Sequence, residues 1–152
     1  MERSRGIHRR SDCPVNVALE LLGDRWSLLI VRDLMFRGYR SYGQFLEADE
    51  SIATNMLADR LRKLLAAGVI TTVREDADRR KIFYRLTPKG MDLAPVLVEL
   101  ILWSARYEKT FATPAVIRRI EKNRDEFLAE VRRRWKEGGP PIFATERRRP
   151  RP

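Results

Sequence analysis

Histidine and cysteine occur once each in 152 residues, as His8 and Cys13. A single thiol excludes an internal disulfide, and with one imidazole neither a zinc site nor a His-based triad can be assembled. No metal or cofactor is expected, and the lone thiol fits a reducing compartment. Long apolar runs are also missing. The most hydrophobic stretch, LAPVLVELILW at residues 93–103, is interrupted by Glu99 and falls far short of the roughly 20 residues a membrane span needs. The opening MERSRGIHRRSD is charged throughout and lacks the apolar segment of a signal peptide. A cytoplasmic chain with no membrane partner is therefore expected. Without a nucleophile–base pair, metal ligands or a Gly-rich phosphate loop, there is little from which to build an enzyme.

What the chain does have is positive charge. Lysine and arginine number 31 against 21 acidic residues, a formal net charge of +10, which favours a polyanionic partner. Charge alone does not choose between nucleic acid and an anionic membrane surface. Hydrophobic residues make up 43% of the chain, enough for the core of one domain.

Residues 1–12 and 138–152 are basic or Pro/Gly-rich without apolar periodicity, and read as a flexible arm and a disordered tail. Between them the pattern is mainly helical. Pro14 opens a helix over 14–22 with Val17, Ala18 and Leu21 on one stripe, ended by Gly23. Asp24 caps a second helix over 25–36, which stops at Gly38. Ser41 and Gln44 have capping-box spacing and open a short third helix. After the turn ADES comes SIATNMLADRLRKLLAAG, an amphipathic helix with Leu57, Leu61, Leu64 and Leu65 on one face. Short helix, tight turn and longer amphipathic helix make a helix-turn-helix, whose second helix lies in the DNA major groove.

Beyond Gly68 the period changes to two. VITTVR and KIFYRLT, separated by EDADRR, predict a β-hairpin, a wing with Arg79, Arg80 and Lys81 at or behind its tip. Thr87 and Pro88 open a fifth helix over 88–110, and Thr113 and Pro114 a sixth over 114–136. The fifth is apolar on more than one side, through Leu93, Val96, Leu97, Val98, Leu100, Ile101, Leu102 and Trp103. The sixth carries Ile117, Ile120, Phe127, Val131 and Trp135 on a stripe with no evident core left to receive it. A second subunit is expected to cover both, so residues 112–137 are read as a dimerisation element.

The segments CPVNVALELLGDRWSLLIVRDLMFRGYRSYGQFLEA, SIATNMLADRLRKLLAAGVI and YRLTPKGMDLAPVL resemble the HxlR-type winged helix-turn-helix regulators over about residues 13–107. The resemblance lies in Cys-Pro-Val before the first helix, Gly-x-x-Trp before the second, Leu-x-x-Arg-Leu in the recognition helix and Leu-Thr-Pro-x-Gly after the wing. It implies a winged-helix domain over 13–111 in a bacterial or archaeal transcription factor. It further implies a homodimer, joined through its first and last helices, that binds pseudo-palindromic DNA and has no enzymatic activity. In some members the cysteine before the first helix responds to electrophiles or oxidants, and Cys13 holds that position. The helix over 114–136 and the arginine tail extend beyond the usual short domain, and Phe83 stands where a polar residue is common.

On the outer face of the recognition helix, Thr54, Asn55 and Ala58 are short enough for the backbone to approach base edges, with Ser51 at its entrance. Asn55 can pair with adenine, and Ala58 or the Thr54 methyl can meet a thymine methyl. Arg62 suits guanine or phosphate, while Asp59 either accepts from cytosine or orients Arg62. Arg60, nearer the core stripe, is expected in an internal ion pair. Arg40, Ser41 and Tyr42 begin the third helix and suit phosphate, with Gln44 a further DNA-contact candidate; Arg79, Arg80 and Lys81 suit phosphate or the minor groove. The plainer alternatives are a solvated helix face and a soluble loop tip. Cys13 is either a redox sensor or a small packed hydrophobe. Trp26, Phe36, Trp103 and Tyr107 are either core or the lining of a pocket for a small-molecule effector between subunits. The arginine tail is a second DNA arm, a solubilising tail or an expression remnant. The function read from these residues is a homodimeric, sequence-specific regulator on double-stranded DNA. The alternative is a winged-helix module that binds protein or structured RNA through its basic surface.

Overall fold

The computed structural model describes residues 9–143; His8 and the arginine-rich end of the tail lie outside the described residues. Pro14 starts α1 (Pro14–Leu22), which ends where the Gly23 amide donates to the Leu19 carbonyl at 2.7 Å. No residue of α1 is fully buried, and Val15 and Leu19 face outward. Asp24 then accepts the amides of Trp26 (2.8 Å) and Ser27 (2.9 Å) at the entrance to α2 (Ser27–Arg32). The expected helix over 25–36 widens at its end into a π-helical turn, Asp33–Arg37, closed by Gly38 at φ 70°. That turn places the Asp33 carboxylate in the interior, paired with Arg32 at 2.8 Å and Arg37 at 3.4 Å.

Ile30, Val31 and Phe36 from this region meet Phe45 of α3 (Tyr42–Leu46), Ile52 of the turn, and Leu57, Leu61 and Leu64 of α4 (Thr54–Ala66) in a single core. The i, i+4, i+7 spacing of those leucines puts one α4 stripe inside and leaves the other face free. Leu65, expected on the buried stripe, is at its border and 36% exposed. Next come β1 (Ile70–Glu75) and β2 (Asp78–Leu86), an antiparallel ribbon pairing Ile70 with Leu86 and Val73 with Phe83.

The fifth helix is split into α5 (Pro88–Met91) and α6 (Ala94–Tyr107). Pro95 accounts for the break: its ring has no N–H to donate and would collide with the carbonyl four residues back, at Met91. Gly90 allows α5 to press on the ribbon, since a Cβ there would lie 2.2 Å from the Val69 carbonyl oxygen. The sixth helix is likewise two, α7 (Pro114–Lys122) and α8 (Arg124–Glu137), divided at Asn123, whose side-chain oxygen caps α8 by accepting the Glu126 amide at 3.1 Å.

The apolar stripe of the last two helices packs within its own chain, which corrects the expectation that a second subunit must cover it. Ile120, Phe127 and Val131 are buried in the same core. The expected disordered tail is also ordered at its start. The amides of Ile142 (3.0 Å) and Phe143 (3.3 Å) both donate to the Phe36 carbonyl, and the Phe143 ring sits 5.2 Å from that of Phe36 and 6.3 Å from that of Phe127.

Candidate nucleic-acid interface

The helix-turn-helix is held from both ends of its turn. Ser41 and Gln44 form the expected capping box: the Gln44 amide donates to Ser41 Oγ (3.3 Å), and Gln44 Oε1 accepts the amides of Ser41 (3.1 Å) and Arg40 (2.8 Å). Ile52 is buried beneath the turn, and Ser51 takes the left-handed conformation at φ 56°, a geometry costly for a non-glycine residue and tolerated where neighbours over-determine it. The Tyr42 hydroxyl donates to the Thr54 carbonyl at 2.8 Å. Tyr42 and Gln44, both read from the sequence as DNA contacts, thus spend these groups within the protein: Tyr42 ties α3 to the start of α4, and Gln44 caps α3.

Thr54, Asn55, Ala58 and Arg62 are exposed together on the outer face of α4, as their spacing requires. Asn55 Oδ1 accepts the Met56 amide at 2.9 Å. Asp59 is a hub for three cations: Arg62 at 2.5 Å, Arg60 at 3.0 Å and Lys63 at 3.2 Å. The hydrogen bond from Lys63, and the positive charge of Lys63, Arg62 and Arg60, hold its carboxyl below the usual aspartate range. Asp59 therefore presents no free negative charge and keeps the Arg62 guanidinium tethered. Arg60 also pairs with Asp24 at 3.1 Å across to α2, the internal ion pair its position suggested, although its Nε–H is not aimed well enough to form a hydrogen bond. Lys63 belongs with this face and escaped the sequence reading; its i, i+4 spacing from Asp59 was the available signal.

The wing differs from the expected six-residue loop. The strands continue to Glu75 and Asp78, leaving Asp76 and Ala77 as the tip, and the pairing register shifts between Val73 and Glu75. Arg79, Arg80 and Lys81 are exposed on the extra length of β2 behind the tip. Arg80 leans on Asp78 at 3.6 Å, while Arg74, also missed, donates to the Arg79 carbonyl at 2.7 Å. Arg40 joins helix and wing. Its carbonyl accepts the Tyr84 amide at 2.7 Å, its guanidinium lies 4.9 Å from the Phe83 ring centroid, and it pairs with Glu75 at 3.1 Å. Phe83 is the platform for that arginine.

The four aromatics read as a possible effector lining do not converge within the protomer. Phe36 is core and Trp26 borders a void of about 10 Å³, room for about one water. Trp103 and Tyr107 lie on the outside of α6 with ring centroids 5.7 Å apart. A wider cleft of about 480 Å³ between the base of β2 and α8 includes none of the four. Cys13 is exposed at the start of α1, where the amides of Asn16 and Val15 hold its thiol below its ordinary pKa. Among the described residues no cluster of His, Cys, Asp or Glu is placed to hold a metal.

A two-stranded wing following a helix-turn-helix is the winged-helix arrangement, and known proteins share it. An uncharacterised HTH-type transcriptional regulator of Mycobacterium tuberculosis, Rv3095, is 40% identical over 100 residues, which cover 66% of this chain and 62% of that relative. The chain thus spans just under two thirds of that relative's length. The crystal structure of PA1607 superposes with a TM-score of 0.60 at 39% identity, covering 70% of this chain and 71% of that one. The reduced form of the transcriptional regulator YodB from Bacillus subtilis gives a TM-score of 0.53 at 31% identity, over 64% of this chain and 95% of that one. YodB has also been solved bound to quinone and after diamide treatment. The profile of the HxlR-like helix-turn-helix family matches residues 21–111. That is more than half of the chain and includes the capping box, α4 and the wing, and the chain belongs to this family.

Proposed function

We propose that the protein is a homodimeric, sequence-specific regulator of transcription that reads a pseudo-palindromic operator in the cytoplasm. The observation that carries this reading is the outer face of α4: short side chains at Thr54, Asn55 and Ala58 beside the tethered Arg62, with the basic wing braced to the same helix-turn-helix through Arg40. Short residues admit the backbone to the major groove, and Asn55 and Arg62 supply hydrogen-bonding groups for base edges. Arg79, Arg80 and Lys81 supply phosphate or minor-groove contacts that position the helix.

Dimerisation is supported by an uncovered apolar stripe. Val96, Leu100, Trp103 and Tyr107 are all exposed on α6 at i, i+4, i+7 and i+11, and Val15 and Leu19 are exposed on α1. A patch of this kind on a soluble chain marks an interface, and a two-fold pair would match a palindromic site. Cys13, with its lowered pKa and exposure, is proposed as an oxidant- or electrophile-responsive thiol, a role supported by the quinone-bound and diamide-treated states of YodB. No catalytic activity is assigned. Among the described residues no helix is long and apolar enough to cross a membrane.

The test is selection of bound fragments from a random DNA pool, followed by gel shifts on the enriched duplex, a scrambled duplex and an RNA duplex over a range of salt. Enrichment of an inverted repeat bound well above scrambled DNA is expected. Equal binding to all three duplexes would refute sequence-specific reading, and preference for RNA would favour an RNA-binding module.

A further inference from the structure

The base of the wing and the last helix hold each other. Trp135 Nε1 on α8 donates to the Leu86 carbonyl at 2.9 Å. Arg85, the neighbour of Leu86 on β2, donates back to the Trp135 carbonyl at 2.7 Å, and its guanidinium lies 5.2 Å from the indole centroid. Both directions of the contact therefore join the same two short segments. Trp135 lies outside residues 21–111, the part matched by the family.

A ribbon of two strands is marginal on its own, and from Thr71 to Lys81 this one is exposed except at Val73 and Asp78. Ile70 at its root is buried in the core, Glu75 of β1 pairs with Arg40, and the rest of its support lies along β2. On one side the Arg40 carbonyl takes the Tyr84 amide; next along the strand, α8 takes Arg85 and Leu86. The cation–π contact together with two hydrogen bonds of opposite direction restricts rotation as well as separation, because either motion breaks a directional contact.

We infer that α8 is the buttress of the wing. Trp135 and Arg85 are positioning residues that set the angle at which Arg79, Arg80 and Lys81 meet DNA, so a segment outside the family domain tunes affinity through the wing. This role rests on the reading of the wing as a DNA contact.

Full-length Trp135→Leu, Trp135→Phe and Arg85→Gln are compared with the native chain, alone and combined with Arg79→Ala/Arg80→Ala. In DNA-free protein, hydrogen exchange of β1 and β2 amides should quicken by roughly 2- to 10-fold in Trp135→Leu, the scale of one lost hydrogen bond, while α4 is unchanged. Trp135→Phe keeps a ring under Arg85 and should recover part of the protection. Arg85→Gln, an exposed substitution, gives the same readout should Trp135→Leu fail to fold. On operator DNA, Trp135→Leu should weaken binding and flatten its salt dependence, and should add nothing once Arg79 and Arg80 are alanine. Unchanged hairpin exchange overturns the buttress. A loss that adds fully to that of the wing-tip variant overturns its action through the wing. Faster exchange, with Arg79→Ala/Arg80→Ala leaving DNA affinity untouched, upholds the grip but overturns the wing as a DNA contact and hence the tuning.

Discussion

Trp103→Ala is the sharpest test of the dimer contact proposed along α6. In the protomer 61% of Trp103 is exposed; for a side chain that buries up to roughly 250 Å² this leaves on the order of 150 Å² for a partner to cover. At about 25 cal/mol per Å² full coverage would contribute about 4 kcal/mol for each protomer. A two-fold axis uses the residue twice, so even half coverage gives roughly 4 kcal/mol per dimer, or about a thousandfold in Kd. The protomer itself should barely notice, because α6 is anchored through its other face by Leu97, Val98 and Leu102. Sedimentation equilibrium across nanomolar to micromolar concentration, with circular dichroism to confirm helix content, separates the two effects. A native chain that is monomeric at micromolar concentration, or a variant with an unchanged dimer constant, would refute the seam.

Three further outcomes follow from the same geometry. Asn55→Ala and Arg62→Ala should each cost roughly 1–3 kcal/mol on the selected operator and relax base preference; equal losses on scrambled DNA would reduce them to phosphate contacts. Burial pushes the Asp24 carboxyl up, but the Ser27 hydroxyl, the Trp26 and Ser27 amides and Arg60 together outweigh it and hold it below its ordinary value. A depressed folded-state pKa means that Asp24 stabilises the fold above the normal aspartate range and loses that contribution as pH falls through the folded value. Asp24→Ala should therefore cost about 1–2 kcal/mol in urea unfolding at neutral pH, and the gap should close in acid; a gap that persists would place the effect elsewhere. Diamide with a small thiol should alter operator affinity in the native chain and not in Cys13→Ser, whereas identical responses would remove Cys13 from regulation.

The helix-turn-helix was legible because its signals are local. Leucine spacing in α4, apart from Leu65 at the border of the stripe, and the Ser41–Gln44 cap each act within a turn or two of helix. The hairpin was legible from its β-branched runs, but EDADRR carries the composition of a loop, and only strand pairing reveals that Asp78 and the arginines behind it belong to β2. Pro95 announced the break between α5 and α6 by its own chemistry; the surrounding apolar run concealed it. The destination of Ile120, Phe127 and Val131 was not local at all. It depends on distant elements: α7 and α8 pack against α6, and α8 also against the π-helical turn that carries Phe36. Phe143 is harder still, a single aromatic after Gly138, Gly139, Pro140 and Pro141 with no periodicity to mark it. The arginines of the interface were visible as charge; the tether of Arg62 to Asp59, three residues earlier on the same helix, is local, whereas that of Arg40 to Phe83 is a tertiary fact.

The close approach at Gly90 also bears on the spacing that the proposed dimer would require of its operator. Around that glycine, the Thr87 hydroxyl donates to the Gly68 carbonyl at 2.6 Å, the Thr87 amide to Val69 at 3.1 Å, and Lys89 Nζ to the Ala67 carbonyl at 2.7 Å. The end of α4, the root of the wing and the approach to α6 are thereby pinned at one joint with no slack. In the dimer proposed along α6, the two α4 helices would then stand at a fixed separation. Spacing between half-sites would then matter as much as their letters: inserting about five base pairs, half a helical turn, would carry one half-site to the far side of the duplex and is expected to abolish binding by both halves.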